Sequence, residues 1–213
     1  ENPLRRYTNH MSELIEKFQR LFLIREILGD DLAFRELSEK RYLPQELEEW
    51  VALAEVYKRL GAYNKAFKVY DYIDSKYFGD LESLDKPFLL KESYPLYYDN
   101  LIGKYSDQYN IDKNLTHAII RQESSYDRMA HSWADAYGLM QIIPGTAKQL
   151  AHELELDVSV MERLYDANLN INMGTYYLHT LLNQYDHKVE MALAAYNAGP
   201  HRVKRWEKIY PTD

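Results

Sequence analysis

Glu123 is the acidic residue whose position most favours chemistry. It ends a predicted helix from Asp112 to Ser124 and follows Leu115 by eight residues and Ile119 by four. Successive helical residues turn by about 100°, so Glu123 lies at the border of the apolar face formed by Leu115, Ala118 and Ile119. Partial burial and the negative end of the helix dipole both oppose ionisation, so we expect a raised pKa for this carboxyl. A carboxyl that keeps its proton near neutral pH suits a general acid that protonates a leaving oxygen.

The same position also fits plainer roles, since Glu123 could cap its helix or pair with Arg121 or Arg128. Enzymes that cleave sugar chains ordinarily use two carboxylates. Asp127 and Asp135 are the nearby candidates for the second one. Both lie in a predicted loop, where solvated or turn-forming aspartates are common. The segment therefore predicts either an active site with one carboxylate or a purely structural helix end.

Four blocks, in this order, give the second half a recognisable pattern: Arg121-Gln122-Glu123-Ser124-Ser125 followed by Ser132, then Gly138-Leu139-Met140-Gln141-Ile142-Ile143-Pro144-Gly145-Thr146-Ala147, then Asn170-Ile171-Asn172-x-Gly174-x-x-Tyr177-Leu178, then Ala194-Ala195-Tyr196-Asn197-Ala198-Gly199-Pro200. Together they resemble the catalytic core of the soluble lytic transglycosylases, over roughly residues 94 to 210. Four ordered blocks are a far more specific signal than one short motif.

The resemblance implies a goose-lysozyme-like fold and the cleavage of peptidoglycan at the β-1,4 bond between N-acetylmuramic acid and N-acetylglucosamine. No water is added, and the product carries a 1,6-anhydromuramoyl end. Glu123 would be the single acid and base, because the N-acetyl oxygen of the sugar itself can attack the anomeric carbon. The ionised Glu123 can then take the proton of the C6 hydroxyl, provided that the site is dry.

The family pattern also implies roles for substrate-binding residues. Ser132 would hold the muramoyl N-acetyl group, and Met140 would line the floor beneath the sugar. Gln141 and Tyr196 would orient the sugar and the glutamate. Asn197 would support the loop at Tyr196. Asn170 and Asn172 are expected to be buried hydrogen-bonding residues and not ligands of the substrate.

The sequence departs from the family pattern in two loop segments and at its end. Asp127-Arg128 stands where the family usually has Asn-Pro, and Trp133-Ala134-Asp135-Ala136 replaces a small glycine-containing turn. We therefore expect a differently shaped loop beside Ser132. The family continues with a glutamate-bearing segment and a closing helix, so we expect the domain to be truncated at its C-terminal end, Asp213.

The elements that must position these residues are mostly helical, and the predicted class is mainly α. Glycine and proline number only 8 and 7, and the apolar spacing is helical nearly throughout. Predicted helices cover Leu14–Leu28, a segment capped by Asp30 and Asp31 that runs to Lys40, a hairpin over 47–60 and 66–73, and then 95–109, 112–124, 146–154, 168–185, 188–198 and 200–209. Only Leu139–Ile143 is expected to be extended.

Two domains follow from this pattern. Residues 1–90 are predicted to be a helical scaffold domain with a tetratricopeptide-like hairpin, and residues 91–213 a lysozyme-like catalytic domain. Residues 78–95, which contain Gly79, Pro87 and Pro95, break the helical periodicity and mark the junction.

Composition restricts the partners. The net charge of -7 argues against a nucleic-acid binder. The chain has no cysteine, and its seven histidines show no metal-ligand spacing, so we predict neither a metal site nor a cofactor. No apolar run reaches the roughly 20 residues of a membrane span. The expected partner is the glycan strand of peptidoglycan, and the helical half is a candidate surface for cell-wall or envelope proteins.

The first residue is Glu1, so we expect any signal peptide to have been removed, and we place the protein in the periplasm or cell envelope of a bacterium. Two alternatives to the transglycosylase remain. A goose-type lysozyme-like hydrolase would need a second carboxylate, at Asp127 or Asp135. A non-catalytic cell-wall-binding scaffold would have an incomplete site.

Overall fold

The computed structural model describes residues 8–29, 32–33, 35–36, 44–77, 79, 86–157 and 163–209, and these are mostly helical. The predicted mainly α class is confirmed, since 73% of the structure is helix. The expected caps at Asp30 and Asp31 and most of the helix to Lys40 lie outside the described residues. None of the helices described is long and apolar enough to cross a membrane.

The chain forms two compact units that are not contiguous in sequence. The first comprises Glu1–Tyr97 with Ser125–Asp127, and the second Tyr98–Ser124 with Arg128–Asp213.

Four helices of the first unit are described: α1 (Thr8–Leu28), α2 (Leu47–Arg59), α3 (Tyr63–Tyr77) and α4 (Lys86–Ser93). A capping box between Glu46 and Glu49 starts α2. Gly61, at φ +73°, lies in the turn between α2 and α3, and the two helices pack against each other, so the predicted hairpin is confirmed. The sequence pattern missed α4, because Pro87 suggested a break. Proline is tolerated there, in the first turn of a helix, where its missing N–H needs no intrahelical acceptor.

An ionic cluster ties the helices of the first unit together beside its apolar core. The Lys58 ammonium lies 2.8 Å from a carboxylate oxygen of Glu55 and 2.7 Å from one of Glu92 on α4. The Tyr70 hydroxyl on α3 donates to Glu55 at 2.7 Å. Burial, followed by the charge of Glu55, raises the pKa of Tyr70, which therefore remains a neutral donor. The core around it includes Phe18, Leu21, Val51, Leu53, Ile73 and Leu89.

The short segment Ser125–Asp127, which directly follows α6 of the second unit, packs within the first unit. Tyr126 is only 2% exposed and its ring lies 6.2 Å from Phe67 and 5.2 Å, edge-on, from Tyr97. Its hydroxyl donates to the carbonyl of Pro95 at 2.7 Å. The backbone just after Glu123 is thus anchored by a buried aromatic side chain.

Six helices of the second unit are described: α5 (Asp99–Tyr109), α6 (Lys113–Ser124), α7 (Pro144–Glu153), α8 (Ala167–Gln184), α9 (Val189–Ala198) and α10 (Pro200–Ile209). The long helix α8 contacts α5, α7 and α9, while α6 packs on α5 and α10 packs on α9. These helices match the predicted ones to within a few residues at each end.

The helix starts of the second unit follow from local chemistry. The Asp112 carboxylate accepts the backbone N–H of Asn114 at 2.9 Å, which confirms the predicted cap of α6. Asp166 accepts the N–H of Leu169 at 2.8 Å and caps α8. Pro144 and Pro200 occupy the first positions of α7 and α10, where proline fits best.

Two local expectations were wrong. The extended conformation predicted for Leu139–Ile143 is wrong for Leu139–Gln141, which form a turn because Gly138 and Gln141 adopt φ values of +76° and +48°, whereas Ile143 is extended. The turn is closed by paired hydrogen bonds between the backbones of Tyr137 and Ile142, at 3.0 and 3.1 Å. It brings Gln141 back toward the loop of residues 131–137.

The buried face of α6 also differs from the expected one. Ala118 is exposed and Leu115 is half-buried, whereas Thr116, His117, Ile119 and Ile120 are buried. The polar pair is buried because α5 packs against it: Asp99 on α5 lies 3.1 Å from the ring nitrogen Nε2 of His117.

Candidate active site

Glu123 lies in the last turn of α6 and is half-buried. Burial raises the pKa of its carboxyl above the ordinary value of 4.5. Among the described residues, no side chain forms a hydrogen bond or an ion pair with this carboxyl, so neither Arg121 nor Arg128 neutralises it. The pKa of this carboxyl is therefore shifted in the direction that the sequence pattern predicts for a general acid.

Glu123 lines a cleft of about 590 Å³ together with four of the other residues predicted for the site, namely Ser132, Gln141, Tyr196 and Asn197. The wall is completed by residues that the site prediction did not include, among them Trp133, Thr146, Tyr177 and Pro200. Glu123 is the one carboxylate among the described residues that line this cleft. The cleft therefore offers a single acidic group within a mixed polar and apolar wall.

Tyr196 fixes α9 to the turn beside Glu123. Its hydroxyl donates to the backbone carbonyl of Met140 at 2.8 Å, and its ring lies 5.3 Å from that of Tyr177. Burial, and then the negative charge of Glu123, raise the pKa of Tyr196 well above its ordinary value. Tyr196 is therefore a neutral donor that holds the backbone and does not hydrogen-bond the glutamate.

Met140 departs from its expected place on the cleft floor. Its side chain is fully buried and is not among the residues that line the cleft. It packs so closely on Gly174 of α8 that a β-carbon at that glycine would lie 2.4 Å from the Met140 sulfur. Met140 contributes to the site through its carbonyl, the acceptor for Tyr196.

Gln141 lines the cleft with its amide nitrogen already engaged. The nitrogen donates to the carbonyls of Gly138 at 2.9 Å and Ala130 at 3.3 Å. The amide oxygen is left as the acceptor for a ligand, and Gln141 orients the turn and not Glu123.

Ser132 offers a hydrogen-bond donor to a ligand, whereas Gln141 offers an acceptor. Its hydroxyl oxygen accepts the backbone N–H of Ala134 at 3.3 Å and of Ala136 at 3.1 Å. With both lone pairs engaged, the hydroxyl hydrogen is what Ser132 can offer to a ligand.

Asn197 is exposed on the cleft and forms no side-chain hydrogen bond with the described residues. The hydroxyl of Tyr196 is held by Met140, and the expected support of the Tyr196 loop by Asn197 stays a prediction. The Asn197 amide is available to a ligand.

Asn170, a buried residue of α8, holds the turn that carries Met140 and Gln141. Its amide oxygen accepts the N–H of Met140 at 2.8 Å. Its amide nitrogen donates to the carbonyls of Tyr137 at 2.9 Å and Leu164 at 2.8 Å. The expected buried hydrogen-bonding role of Asn170 is thus confirmed.

Neither candidate for a second carboxylate lines the cleft. Asp127 accepts a hydrogen bond from Asn64 at 2.8 Å within the first unit. Asp135 is exposed and accepts hydrogen bonds from the Tyr137 hydroxyl and from His131, and these lower the pKa of its carboxyl. Both aspartates instead form hydrogen bonds with protein side chains.

A second, smaller cavity of about 250 Å³ adjoins the same glutamate. It shares Glu123, Tyr196 and Asn197 with the cleft and is otherwise lined mainly by apolar residues, including Leu115, Ala118 and Leu193. This cavity explains why Ala118 is exposed although the helical pattern marked it as core. Among the described residues, no group of three histidine, aspartate or glutamate side chains could hold a metal ion.

Comparison with known sequences gives one family match, since the model of the Transglycosylase SLT domain fits residues 100–212. The soluble lytic murein transglycosylase of Escherichia coli is 39% identical over 118 residues, which cover 55% of this chain and 18% of that protein. The chain thus spans about a fifth of the length of this relative.

Solved structures give the same fold. The complex of the 70-kDa soluble lytic transglycosylase with bulgecin A superimposes with a TM-score of 0.65 at 30% identity, over 77% of this chain and 25% of that one. An inactive mutant of lytic transglycosylase Slt from Pseudomonas aeruginosa gives 0.68 at 23% identity, over 97% of this chain and 32% of that one. The expected lysozyme-like fold is thereby confirmed.

Proposed function

Because the chain belongs to the transglycosylase SLT family, we propose that it is a lytic transglycosylase that cleaves peptidoglycan between N-acetylmuramic acid and N-acetylglucosamine. Glu123 is its single acid and base, and the products carry 1,6-anhydromuramoyl ends. The observation that supports this most strongly is that Glu123 alone supplies a carboxylate to the described cleft wall, and does so without a cationic partner.

The reaction takes place in two steps at this carboxyl. In the first, Glu123 gives its proton to the glycosidic oxygen, the bond from that oxygen to C1 breaks, and the N-acetyl carbonyl oxygen of the muramoyl residue bonds to C1. In the second, the ionised Glu123 takes the proton of the C6 hydroxyl. The C6 oxygen then bonds to C1 as the N-acetyl oxygen leaves, which closes the anhydro ring and restores the protonated acid.

The other cleft residues bind and orient the sugar. The Ser132 hydroxyl hydrogen suits the carbonyl of the N-acetyl group, and the Gln141 amide oxygen suits a sugar hydroxyl or amide hydrogen. Tyr196 keeps the Met140 backbone, and with it Gln141, in place in the wall of the cleft that Glu123 also lines. The apolar side chains of Ile142 and Tyr177 limit water at the anomeric carbon, which favours the intramolecular attack.

The location follows from the substrate. Peptidoglycan lies in the bacterial cell envelope, so the proposal includes the periplasm or envelope as the place of action. The helical first unit is proposed to bind other envelope or cell-wall components.

Digestion of purified peptidoglycan tests the proposal. Muropeptides released by the protein are separated and weighed by mass spectrometry, with Glu123→Gln protein purified in parallel as the control for contaminating activity. The expected products have anhydro ends, 18 Da lighter than hydrolysis products because one water is missing, and the variant releases none. Reducing ends would identify a hydrolase, and binding without release would identify a scaffold; either result would overturn the proposal.

A further inference from the structure

We propose that Trp133 is a stacking platform for an additional N-acetylhexosamine ring of the glycan, at the rim of the cleft and apart from the sugar that reacts at Glu123. The inference rests on the proposed function, because it assumes a glycan strand in the cleft. It assigns a second, binding-only contact to a residue that takes no part in the bond cleavage.

The exposure of Trp133 is the first observation. Its side chain is 100% exposed, whereas Trp206 is 41% exposed and Trp50 is half-buried. A fully exposed indole presents a large flat apolar surface to water, and a ligand ring that covers it gains free energy from the burial. Trp133 is also among the residues that line the cleft of Glu123, so a ligand in that cleft can reach it.

Hydrogen bonds within the loop fix the backbone on both sides of Trp133, so the loop holds this residue at the rim of the cleft. The backbone N–H of Ser132 donates to the carbonyl of Ala136 at 3.0 Å, and that of Asp135 to the carbonyl of Ser132 at 3.1 Å. The N–H groups of Ala134 and Ala136 both donate to the Ser132 hydroxyl oxygen. Because the loop backbone is already ordered, a ligand that stacks on the indole has to restrict only the side-chain torsions of Trp133.

Side chains at the base of the loop brace it further. The rings of His131 and Tyr137 stack with their centroids 4.4 Å apart, and both residues hydrogen-bond the Asp135 carboxylate. Tyr165 packs edge-on against Tyr137 at 5.6 Å. These contacts account for the shape of the loop without a contribution from Trp133, which is fully exposed.

The chemistry of the loop favours a sugar over a peptide as the ligand. The N–H groups of Ser132, Ala134, Asp135 and Ala136 are all satisfied within the loop, so they cannot pair with a peptide backbone. What the loop offers is a flat apolar face flanked by the small side chains of Ala134 and Ala136. The axial C–H face of a pyranose ring complements such a face, and the ring hydroxyl groups remain in water.

Binding measurements with chito-oligosaccharides of two to six sugars test the platform. Isothermal titration calorimetry is carried out in the Glu123→Gln background, which prevents turnover. We expect Trp133→Ala to weaken the binding of the longer oligomers about tenfold, Trp133→Phe to retain part of the affinity, and the disaccharide to bind equally to all. Trp206→Ala is the matched control and should bind like the parent at every length.

The outcomes separate this inference from the proposed function. If Trp133→Ala binds the long oligomers as tightly as the parent, the platform is wrong, although anhydro products from peptidoglycan would leave the function intact. A loss that appears only with peptide-bearing strands would show a peptide contact and also reject the platform. If the parent binds no oligomer of any length, the platform fails as well. Because Trp133 is fully exposed, thermal unfolding should be the same in the variant and the parent.

Discussion

The end of α6 and the loop of residues 131–137 place the same chemical group in opposite surroundings. Glu123 is half-buried and has no described partner, and burial raises the pKa of its carboxyl. Asp135 is exposed and accepts hydrogen bonds from Tyr137 and His131, which lower the pKa of its carboxyl. Glu123 lines the cleft and is suited to hold a proton, whereas Asp135 belongs to a loop of the cleft wall but does not line the cleft itself. Burial, hydrogen-bond donors and position together decide which carboxyl can act as the acid.

The largest effect is expected from Glu123→Gln, which removes the proton donor and leaves the size and shape of the side chain. Anhydromuropeptide release should fall by about 10³-fold or more, since general acid–base catalysis contributes about 10² to 10⁴-fold to such reactions. The measurement is the initial rate on purified peptidoglycan. Activity in this variant at a tenth of the parent rate would break the contrast between the two carboxyls.

Asn170→Ala should have the next largest effect, because Asn170 holds Tyr137 at one end of the turn and Met140 at the other. The substitution leaves buried backbone groups without partners and should lower the free energy of unfolding by about 3 kcal/mol. Urea unfolding followed by circular dichroism measures it. Asn183→Ala, an exposed residue of the same helix, is the control, and an equal loss there would argue against the role of the turn.

Tyr196→Phe should lower kcat about tenfold and leave KM within about twofold, since it removes one hydrogen bond to the Met140 carbonyl but retains the ring. Steady-state rates on peptidoglycan strands of defined length give both constants. A change in KM alone would indicate that Tyr196 binds the sugar and does not position the turn.

The pH dependence of stability should differ between the two carboxyls. The folded protein keeps the Glu123 proton at pH values where the unfolded chain releases it. The free energy of unfolding should therefore fall as pH rises from about 4.5 to the raised pKa of Glu123, and then level off. This fall should be absent in Glu123→Gln. The contribution of Asp135 has the opposite sign, because its pKa is lowered: it is present above the ordinary value of 3.8 and is lost as pH falls through the folded pKa.

Asp135→Asn should have the smallest effect, with an activity within about twofold of the parent, because exposed charged pairs contribute little. The same rate assay measures it. A loss as large as that of Glu123→Gln would mean that the loop carboxylate takes part in the chemistry. It would favour the alternative of a lysozyme-like hydrolase with two carboxylates.

The position of Glu123 in a helix end could be read from the sequence because helical spacing and a capping aspartate fix the register of α6. The face that α6 buries could not be read from the sequence. Leu115 and Ala118 line a cavity, and an apolar pattern does not distinguish a cavity wall from a core. The burial of Met140 was missed for a related reason: only the packing of α8 shows that Gly174 leaves room for its sulfur.

Other features depend on contacts distant in sequence. Nothing local shows that the Tyr196 hydroxyl pairs with a carbonyl 56 residues away, or that the neighbouring Asn197 is exposed. The presence of a tryptophan in a short polar loop could have drawn attention to Trp133 from the sequence. Its exposure could not be predicted, because it depends on how the loop folds.

Ser125–Asp127 pack in the first unit, although the segments on both sides of them belong to the second. No single cut in the chain therefore separates the two units cleanly. A fragment beginning at Tyr98 would retain Glu123 yet lose Phe67, Tyr97 and Pro95, the groups that enclose Tyr126. The side chain of Tyr126 would then be uncovered, and it lies three residues after Glu123. Minimal versions of this protein, and chimaeras that place its cleft on another helical scaffold, must therefore retain the residues that enclose Tyr126.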